Sequence, residues 1–328
     1  CILVWYVIER TKLGSTLRAA TENPALTKAF GINVPRLITL IYGLGGGLTA
    51  FAGVLAGLLG VGGGIVLVPA FFYAFQALGY DSPQLMQMCL ATSLATIIVT
   101  SLRSVHSHNK KGAVDWEILR TWAPGIMVGA ILGVLLVAQL RTQTLQAIFG
   151  GLALIVGLYL GFGRSDWRLG ETMPRGIKRA ILSPMVGFLS VLMGIGGGSF
   201  GVPLMTLHGR PIHRAVATAA GFGLLIAVPS VIAFLFVDIA QSRPPLTIGA
   251  VNLGAFGIVV TMTLITAPWG VRLAHAMDPR PLKRLFAVFI MIMALNMLRK
   301  ALGEEVVTHY ARAAEVELED FDRIVTDY

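Results

Sequence analysis

An apolar, glycine-rich segment occurs twice in this chain, 134 positions apart. The first copy is Gly60-Val61-Gly62-Gly63-Gly64, followed after four residues by Pro69, and the second is Gly194-Ile195-Gly196-Gly197-Gly198, followed after four by Pro203. Inside a helix, glycine costs about 1 kcal/mol and proline about 3 kcal/mol relative to alanine. A helix that is interrupted in this way in corresponding places of two membrane-embedded halves is typical of a transport pathway. The repeat therefore predicts two broken helices within a bilayer.

The charge distribution agrees with a membrane location, since charged residues make up 13% of the chain and the mean hydropathy is +0.75. Soluble domains carry roughly 25% charged residues. About 20 apolar residues span a bilayer core. The uncharged runs are 37–80, 82–102, 121–140, 142–163, 180–209, 215–237, 244–271 and the shorter 285–298. We predict an all-α, polytopic membrane helix bundle whose partner is the lipid bilayer.

Internal duplication predicts two four-helix repeats, each with one Gly-rich broken helix. Leu145 and Phe149 match Leu282 and Phe286 at an offset of 137, close to the offset of the glycine segments. The predicted boundaries are 1–57 for an N-terminal segment, 58–165 for the first repeat, 166–302 for the second and 303–328 for an acidic tail. The predicted helices are one that opens at Ala91, then 121–140, 145–162, 215–237, 247–272 and 283–300.

Lys and Arg in short loops predict the orientation, because cytoplasmic loops carry an excess of both. The basic segments 9–36, 103–120 and 163–179 carry five, four and five such residues and are assigned to the cytoplasmic side. Arg141, and Arg210 with Arg214, are assigned to the opposite side. The four basic residues of 272–284 disagree with this assignment.

The glycine breaks are the predicted substrate site. Free N–H groups at a half-helix start carry the positive end of the helix dipole and favour an anion. The residues that we predict to contact a small anion through the breaks are Gly62, Gly63, Gly64, Pro69, Gly196, Gly197, Gly198 and Pro203. The alternative is close helix packing through small residues, which is common in membranes.

Hydroxyl groups on the following helices complete the predicted site. Thr92 and Ser93 follow the first break, and Thr218 stands at the position matching Thr92 after the second. Hydroxyls can donate to an anion without placing a charge in the bilayer. Membrane Ser and Thr also bond back to their own helix carbonyls, which is the alternative for this set.

Other chemistries find little support in the sequence. The glycine segments lack the third glycine of a dinucleotide fingerprint and the Lys-Ser/Thr of a phosphate loop. No Asp, Glu, Lys or Arg lies deep in a predicted span, and no hydrolase motif occurs, so we predict neither an enzyme nor a cofactor. His106 and His108 lie in a hydrophilic loop without a third metal ligand, whereas His208 and His213 beside Arg210 could form an anion vestibule. The net charge of +9 is accounted for by loops between spans, so nucleic acid is not an expected partner.

The doubled GxGGG-xxxx-P motif, the following Ala91-Thr92-Ser93-Leu94 and the basic loop after it resemble the TauE/SafE sulfite exporter family over about 58–302. The resemblance implies a multi-pass inner-membrane permease for sulfite, sulfonates or related sulfur-containing or organic-acid anions. It also implies that the residues of the two motifs lie in the transport pathway. The expected mechanism is secondary transport, in which one repeat rocks against the other, and assembly as a homo-oligomer is compatible with it.

The segment 1–57 resembles a different family, the permeases of branched-chain amino-acid ABC transporters. The similarity rests on Glu9–Gly14, Arg18–Pro24 and Gly31–Val34 and continues into Phe51–Gly57. In that family such a loop docks an ATPase subunit, which would then be a further partner. The alternatives to an anion transporter are therefore an ABC permease fragment and a fusion of the two that carries nothing.

Overall fold

A computed structural model describes residues 64–80, 82–163, 167–239, 244–276 and 287–303. Within these ranges the helices are α1 (Gly64–Ala77), α2 (Leu85–Lys110), α3 (Trp116–Gln139), α4 (Thr142–Phe162), α5 (Gly176–Leu192), α6 (Gly198–Leu207), α7 (Ile212–Leu235), α8 (Leu253–Ala276) and α9 (287–303). A hairpin of β1 (Thr247–Ile248) and β2 (Val251–Asn252) pairs Thr247 with Asn252 and Ile248 with Val251 in antiparallel register. The predicted ABC-like segment, most of the first glycine copy and almost all of the acidic tail lie outside the described residues.

Among the described residues, four helices are long and apolar enough to cross a membrane, namely α2, α3, α4 and α7. Helix α2 forms the centre, and most of its first half is buried. Helix α3 buries Ile126 and Ala130 but exposes Val128, Ile131 and Leu135. An outer face made of large apolar side chains is suited to hydrocarbon. The prediction of a largely helical membrane protein is confirmed.

Contacts between loops define a basic end of the molecule. Arg210 Nη1 lies 3.5 Å from Asp115 Oδ2, so the loop after α6 meets the loop before α3. Leu169 N donates to Leu207 O at 2.8 Å, so the segment before α5 meets the end of α6. Helix α5 therefore runs inward from the basic end, and α6 runs back to that same end. The sequence-based assignment of Arg210 to the side opposite 103–120 is wrong, because it treated 180–209 as a crossing rather than as a helical hairpin.

The opposite end is defined in the same way. Thr142 N donates to Pro83 O at 2.9 Å, and Gln84 Nε2 donates to Asp238 O at 3.5 Å. Helix α8 begins near this end and its 24 residues extend about 36 Å at 1.5 Å per residue, toward the basic end. Of the basic residues of 272–284, which disagreed with the sequence-based orientation, Arg272 belongs to this helix and the other three lie outside the described residues.

Helices α3 and α5 pack closely through glycine. A Cβ at Gly129 would lie 1.9 Å from Pro184 O, and one at Gly187 would lie 2.1 Å from Ile126 O. Gly125, Gly129 and Gly133 occupy every fourth position of α3, which is the small-xxx-small pattern of membrane helix pairs. This contact attaches the α5–α6 hairpin to the long helix α3.

Two predicted helix starts are wrong. Helix α2 begins at Leu85, six residues before Ala91, because apolar sequence continues upstream to Pro83. The predicted helix over 247–272 instead begins at Leu253, after the hairpin. Gly249 at a φ of 55° makes the turn, and Asn252 Oδ1 then caps α8 by accepting from Ala255 N at 2.8 Å.

Candidate functional site

The second glycine segment separates α5 from α6 in the protein interior. Helix α5 ends at Leu192 and α6 begins at Gly198. Gly194 adopts a φ of 58°, which strongly favours glycine, and Ile195 N closes the end of α5 by donating to Ser190 O at 2.9 Å. Residues 193–199 are all buried. The chain therefore leaves helix for five residues where water does not reach it.

The N-terminus of α6 has the electrostatics of an anion site. Its N-cap, Gly197, offers no side-chain hydrogen bond, and the first turn holds no acidic residue. The first N–H groups of a helix have no partner within that helix and carry the positive end of its dipole. A buried helix start of this kind favours a ligand that accepts hydrogen bonds.

The first described residue of α1 lies against this same break. A Cβ at Gly64 would lie 2.5 Å from Gly194 O and 2.9 Å from Ile195 Cα. Gly64 and the turn before α6 are thus in close contact, and the structure brings residues of the two glycine segments together. Gly62 and Gly63 lie outside the described residues.

The two prolines occupy equivalent places in these short helices. Pro69 is the sixth residue of α1 and Pro203 the sixth of α6. Both helices continue through the proline, so the break next to α6 lies before Pro203 rather than at it. A proline in a helix has no N–H for the carbonyl four residues earlier. The carbonyls that lose this donor belong to Ile65 and Ser199, next to the break.

Glycine is required at the break because α2 and α7 press on it from both sides. A Cβ at Gly197 would lie 2.2 Å from Phe222 Cβ, and one at Gly194 would lie 3.1 Å from Leu90 Cα. The corresponding atom at Gly196 would lie 3.6 Å from Gly223 Cα. The glycines thus serve close packing, the alternative weighed from the sequence, and they also form the turn.

Ser93 binds the break directly. Its Oγ donates to Gly194 O at 2.7 Å, and the side chain is fully buried. Thr96, one turn later, instead donates back to Ser93 O in its own helix. The back-bonding alternative therefore describes Thr96 but not Ser93.

Thr92 and Thr218 are both fully buried but bind different helix starts. Thr92 Oγ1 accepts from Asn252 N at 3.0 Å, in front of α8. Thr218 Oγ1 accepts from Asp115 N at 2.9 Å, in front of α3. The two positions predicted to match in sequence thus make matching contacts, each to the N-cap of a helix far away in the chain.

Two further hydroxyls flank the break and were not marked by any sequence pattern. Ser190 lies two residues before the end of α5 and Ser199 is the second residue of α6. Both side chains are buried, and neither Oγ has a hydrogen-bond partner among the described residues. A buried polar group without a partner costs about 1–3 kcal/mol, so these hydroxyls point to a solvent molecule or a ligand. Their position beside a glycine triplet was the only available signal.

Charged side chains stay outside the described core. Every buried polar side chain among the described residues is uncharged, and these residues contain no cluster of three His, Cys, Asp or Glu that could hold a metal. His208 Nδ1 lies 2.7 Å from Leu204 O within its own helix turn, near Arg210 at the basic end. Among the described residues, charge stabilisation in the interior would therefore come from backbone dipoles and neutral polar side chains.

These features define a class of protein, a helical membrane protein whose chain is interrupted between two helices, α5 and α6, in its interior. The sequence profile of the sulfite exporter TauE/SafE family matches residues 45–297. The chain belongs to that family. A profile for the permease component of the branched-chain amino acid transport system matches residues 1–78, so the two families named from the sequence occur in the expected order.

Individual relatives carry transporter names. A "Probable membrane transporter protein" of Haemophilus influenzae is 29% identical over 252 residues, covering 76% of this chain and 96% of the relative. One of the same description from Methanocaldococcus jannaschii is 24% identical over 75% of this chain and 91% of the relative. Another, from Xylella fastidiosa, is 30% identical over 55% and 69%. No solved structure gave a significant match.

Proposed function

We propose that this protein is a secondary transporter of small anions, with sulfite, sulfonates and related sulfur-containing or organic-acid anions as its substrate class. The observation that carries the proposal is the buried break before α6, against which Gly64 of the first glycine segment packs. The N-terminus of α6 contributes the positive end of its dipole there, and a half-helix start in the first glycine segment would add a second. Family membership supports the class of cargo.

The proposed architecture is a pair of inverted four-helix repeats, each with one broken helix. Helix α2 starts at the end defined by Pro83, whereas α7 starts at the basic end, so the two central helices run in opposite directions. Helices α1 and α6 also run outward from the interior to opposite ends. The matched contacts of Thr92 and Thr218 support this pseudo-symmetry, on which a rocking mechanism depends.

An anion fits this site better than a cation or a neutral solute. The break offers helix N–H groups and the hydroxyls of Ser190 and Ser199, which can donate hydrogen bonds. A buried carboxylate would oppose an anion, and the buried described residues include none. Donors without a countercharge bind an anion while avoiding the large cost of burying an ionised side chain in lipid.

The membrane location follows from the same architecture. We place the protein in the cell inner membrane with its basic end in the cytoplasm, because Lys and Arg concentrate in cytoplasmic loops. The remaining expected partner is a second copy of the chain. Crosslinking in native membranes would detect such a homo-oligomer.

The direct test is uptake of radiolabelled sulfite by proteoliposomes. We expect flux above empty vesicles in the absence of ATP, and competition by unlabelled sulfonates or carboxylates would define the cargo. No flux above empty vesicles for any small sulfur-containing or organic anion would contradict the proposal.

A hydroxyl variant tests the location of the site. Ser199→Ala removes a hydroxyl that has no protein partner among the described residues, so we expect unchanged stability. We expect the sulfite concentration that gives half-maximal flux to rise at least about tenfold, which is the effect of losing one charge-assisted hydrogen bond to the anion. Thr206→Val at the far end of α6 is the matched control, because its hydroxyl bonds only to Val202 O and Pro203 O in its own helix. Equal sulfite kinetics in both variants would place the site elsewhere.

The match of the branched-chain permease profile to residues 1–78 supports a second candidate, a permease segment that works with an ATPase subunit. Sulfite flux without ATP would exclude that role for the whole chain. Co-purification with an ATPase, together with ATP-dependent uptake of a branched-chain amino acid, would favour it.

A further inference from the structure

The same three-part contact occurs once near each end of the molecule. At the basic end, Thr218 on α7 accepts from the N–H of Asp115, which caps α3 by accepting from Ile118 N at 3.3 Å. At the opposite end, Thr92 on α2 accepts from the N–H of Asn252, which caps α8. In each case a central helix of one half holds the start of a long helix of the other half.

The two contacts differ in charge. Asp115 Oδ2 lies 3.5 Å from Arg210 Nη1, and the aspartate side chain is only 13% exposed. Asn252 is neutral, and its Nδ2 donates to Thr247 Oγ1 at 2.8 Å and to Pro245 O at 3.1 Å. The basic end is thus closed by a partly desolvated ion pair, and the opposite end by neutral hydrogen bonds.

The position of each contact relates it to the candidate site. Arg210 lies directly after α6, whose other end is the break at Gly194–Gly198. Thr92 adjoins Ser93, which binds Gly194 O. Separating either contact would therefore move a helix that touches the break, and would do so from one end only.

We propose that these two contacts are the gates of the transport cycle. The Asp115–Arg210–Thr218 gate closes the site toward the basic end, and the Asn252–Thr92 gate closes it toward the opposite end. This inference rests on the proposed function. When the first gate opens, Arg210 loses its carboxylate partner and presents an uncompensated positive charge, which attracts an anion to the open end.

Side-specific labelling tests the gates without requiring transport. In a Cys1→Ser/Cys89→Ala background, Ser199→Cys reports access to the break, and a membrane-impermeant maleimide is added to one side of oriented vesicles. We expect Asp115→Asn, which keeps a capping side chain, to raise the labelling rate from the basic end by about two- to fivefold, the shift that loss of a partly exposed ion pair supports. Arg210→Gln should act in the same direction, and Thr92→Val should raise labelling from the opposite end.

Glu117→Gln is the matched control for the charge change. Glu117 pairs with Arg175 at 3.9 Å through side chains that are 76% and 83% exposed, two residues from Asp115. We expect it to leave labelling unchanged. Equal effects of Asp115→Asn and Glu117→Gln, or increased labelling from the opposite end in Asp115→Asn or Arg210→Gln, would overturn the proposal. Labelling needs no substrate, so the two proposals can fail separately. If the variants change labelling as expected but the protein gives no sulfite flux, the proposed function is contradicted while the two contacts still control access to the break.

Discussion

Single glycine positions decide whether the interior of this protein can close. Gly64, Gly194 and Gly197 each lie where a Cβ would meet backbone or side-chain atoms at less than 3.0 Å. A backbone atom cannot move aside as the end of a flexible side chain can. The tolerance of a glycine to substitution therefore depends on its neighbours rather than on its membership in a triplet.

We predict opposite outcomes for two glycine-to-alanine changes. Gly64→Ala places a methyl group 2.5 Å from Gly194 O, and overpacking of this kind costs about 1–3 kcal/mol, so the unfolding midpoint in detergent should fall and sulfite flux should drop. Gly151→Ala in α4 meets nothing within 4 Å and should leave the midpoint unchanged or raise it, because alanine is the better helix former. If the unfolding midpoint fell equally in Gly64→Ala and Gly151→Ala, the contact between Gly64 and the break would not contribute specifically to stability.

At the scale of elements, the α5–α6 hairpin depends on α3. The hairpin returns to the end from which it entered, so its turn cannot be fixed by loops on two sides of the membrane. Interlocking of Gly125, Gly129 and Gly133 with α5 supplies that anchor, because small residues let the backbones approach closely. The position of the break thus depends on a helix that contributes nothing to the break itself.

Gly129→Ala is predicted to weaken this anchor. The added methyl group would lie 1.9 Å from Pro184 O, so α3 and α5 must separate, and we expect a lower unfolding midpoint together with reduced flux. The control is Gly257→Ala in α8, where nothing lies within 4 Å. A Gly129→Ala protein with the stability and flux of that control would contradict the packing described for α3 and α5.

At the scale of the whole molecule, the ends predicted from loop charge are rearranged by the hairpin. With 208–211 at the basic end, that end gains Arg210 in addition to 163–179 and the basic C-terminal turn of α2, which the sequence already placed there. The charge asymmetry between the ends is therefore larger than the sequence alone indicated, which strengthens the cytoplasmic assignment of the basic end.

Cysteine labelling in intact cells tests this topology. In the background that lacks both native cysteines, Ser107→Cys and Thr172→Cys should resist an impermeant reagent until the membrane is opened. Gln139→Cys and Ile248→Cys, at the other end, should react in intact cells. These four positions are exposed, so reactivity reports the side of the membrane rather than burial. Labelling of Thr172→Cys and Ile248→Cys from the same side would contradict the hairpin arrangement.

The sequence by itself determined the membrane class, the family and the interruption between α5 and α6, because these follow from local composition and from glycine chemistry. It also pointed to Thr92 and Thr218 as a matched pair. It did not reveal that each binds the N-cap of a distant helix, since such contacts join residues more than 100 positions apart.

Only the tertiary structure decided how the glycine segments are used. It showed that α5 and α6 share one end, that Gly64 lies against Gly194 and that the buried hydroxyls of Ser190 and Ser199 have no partner among the described residues. A pattern of residues fixes where a helix must stop. The packing of the whole bundle decides which other backbone segment contacts that helix end. It therefore also decides where an anion site could form.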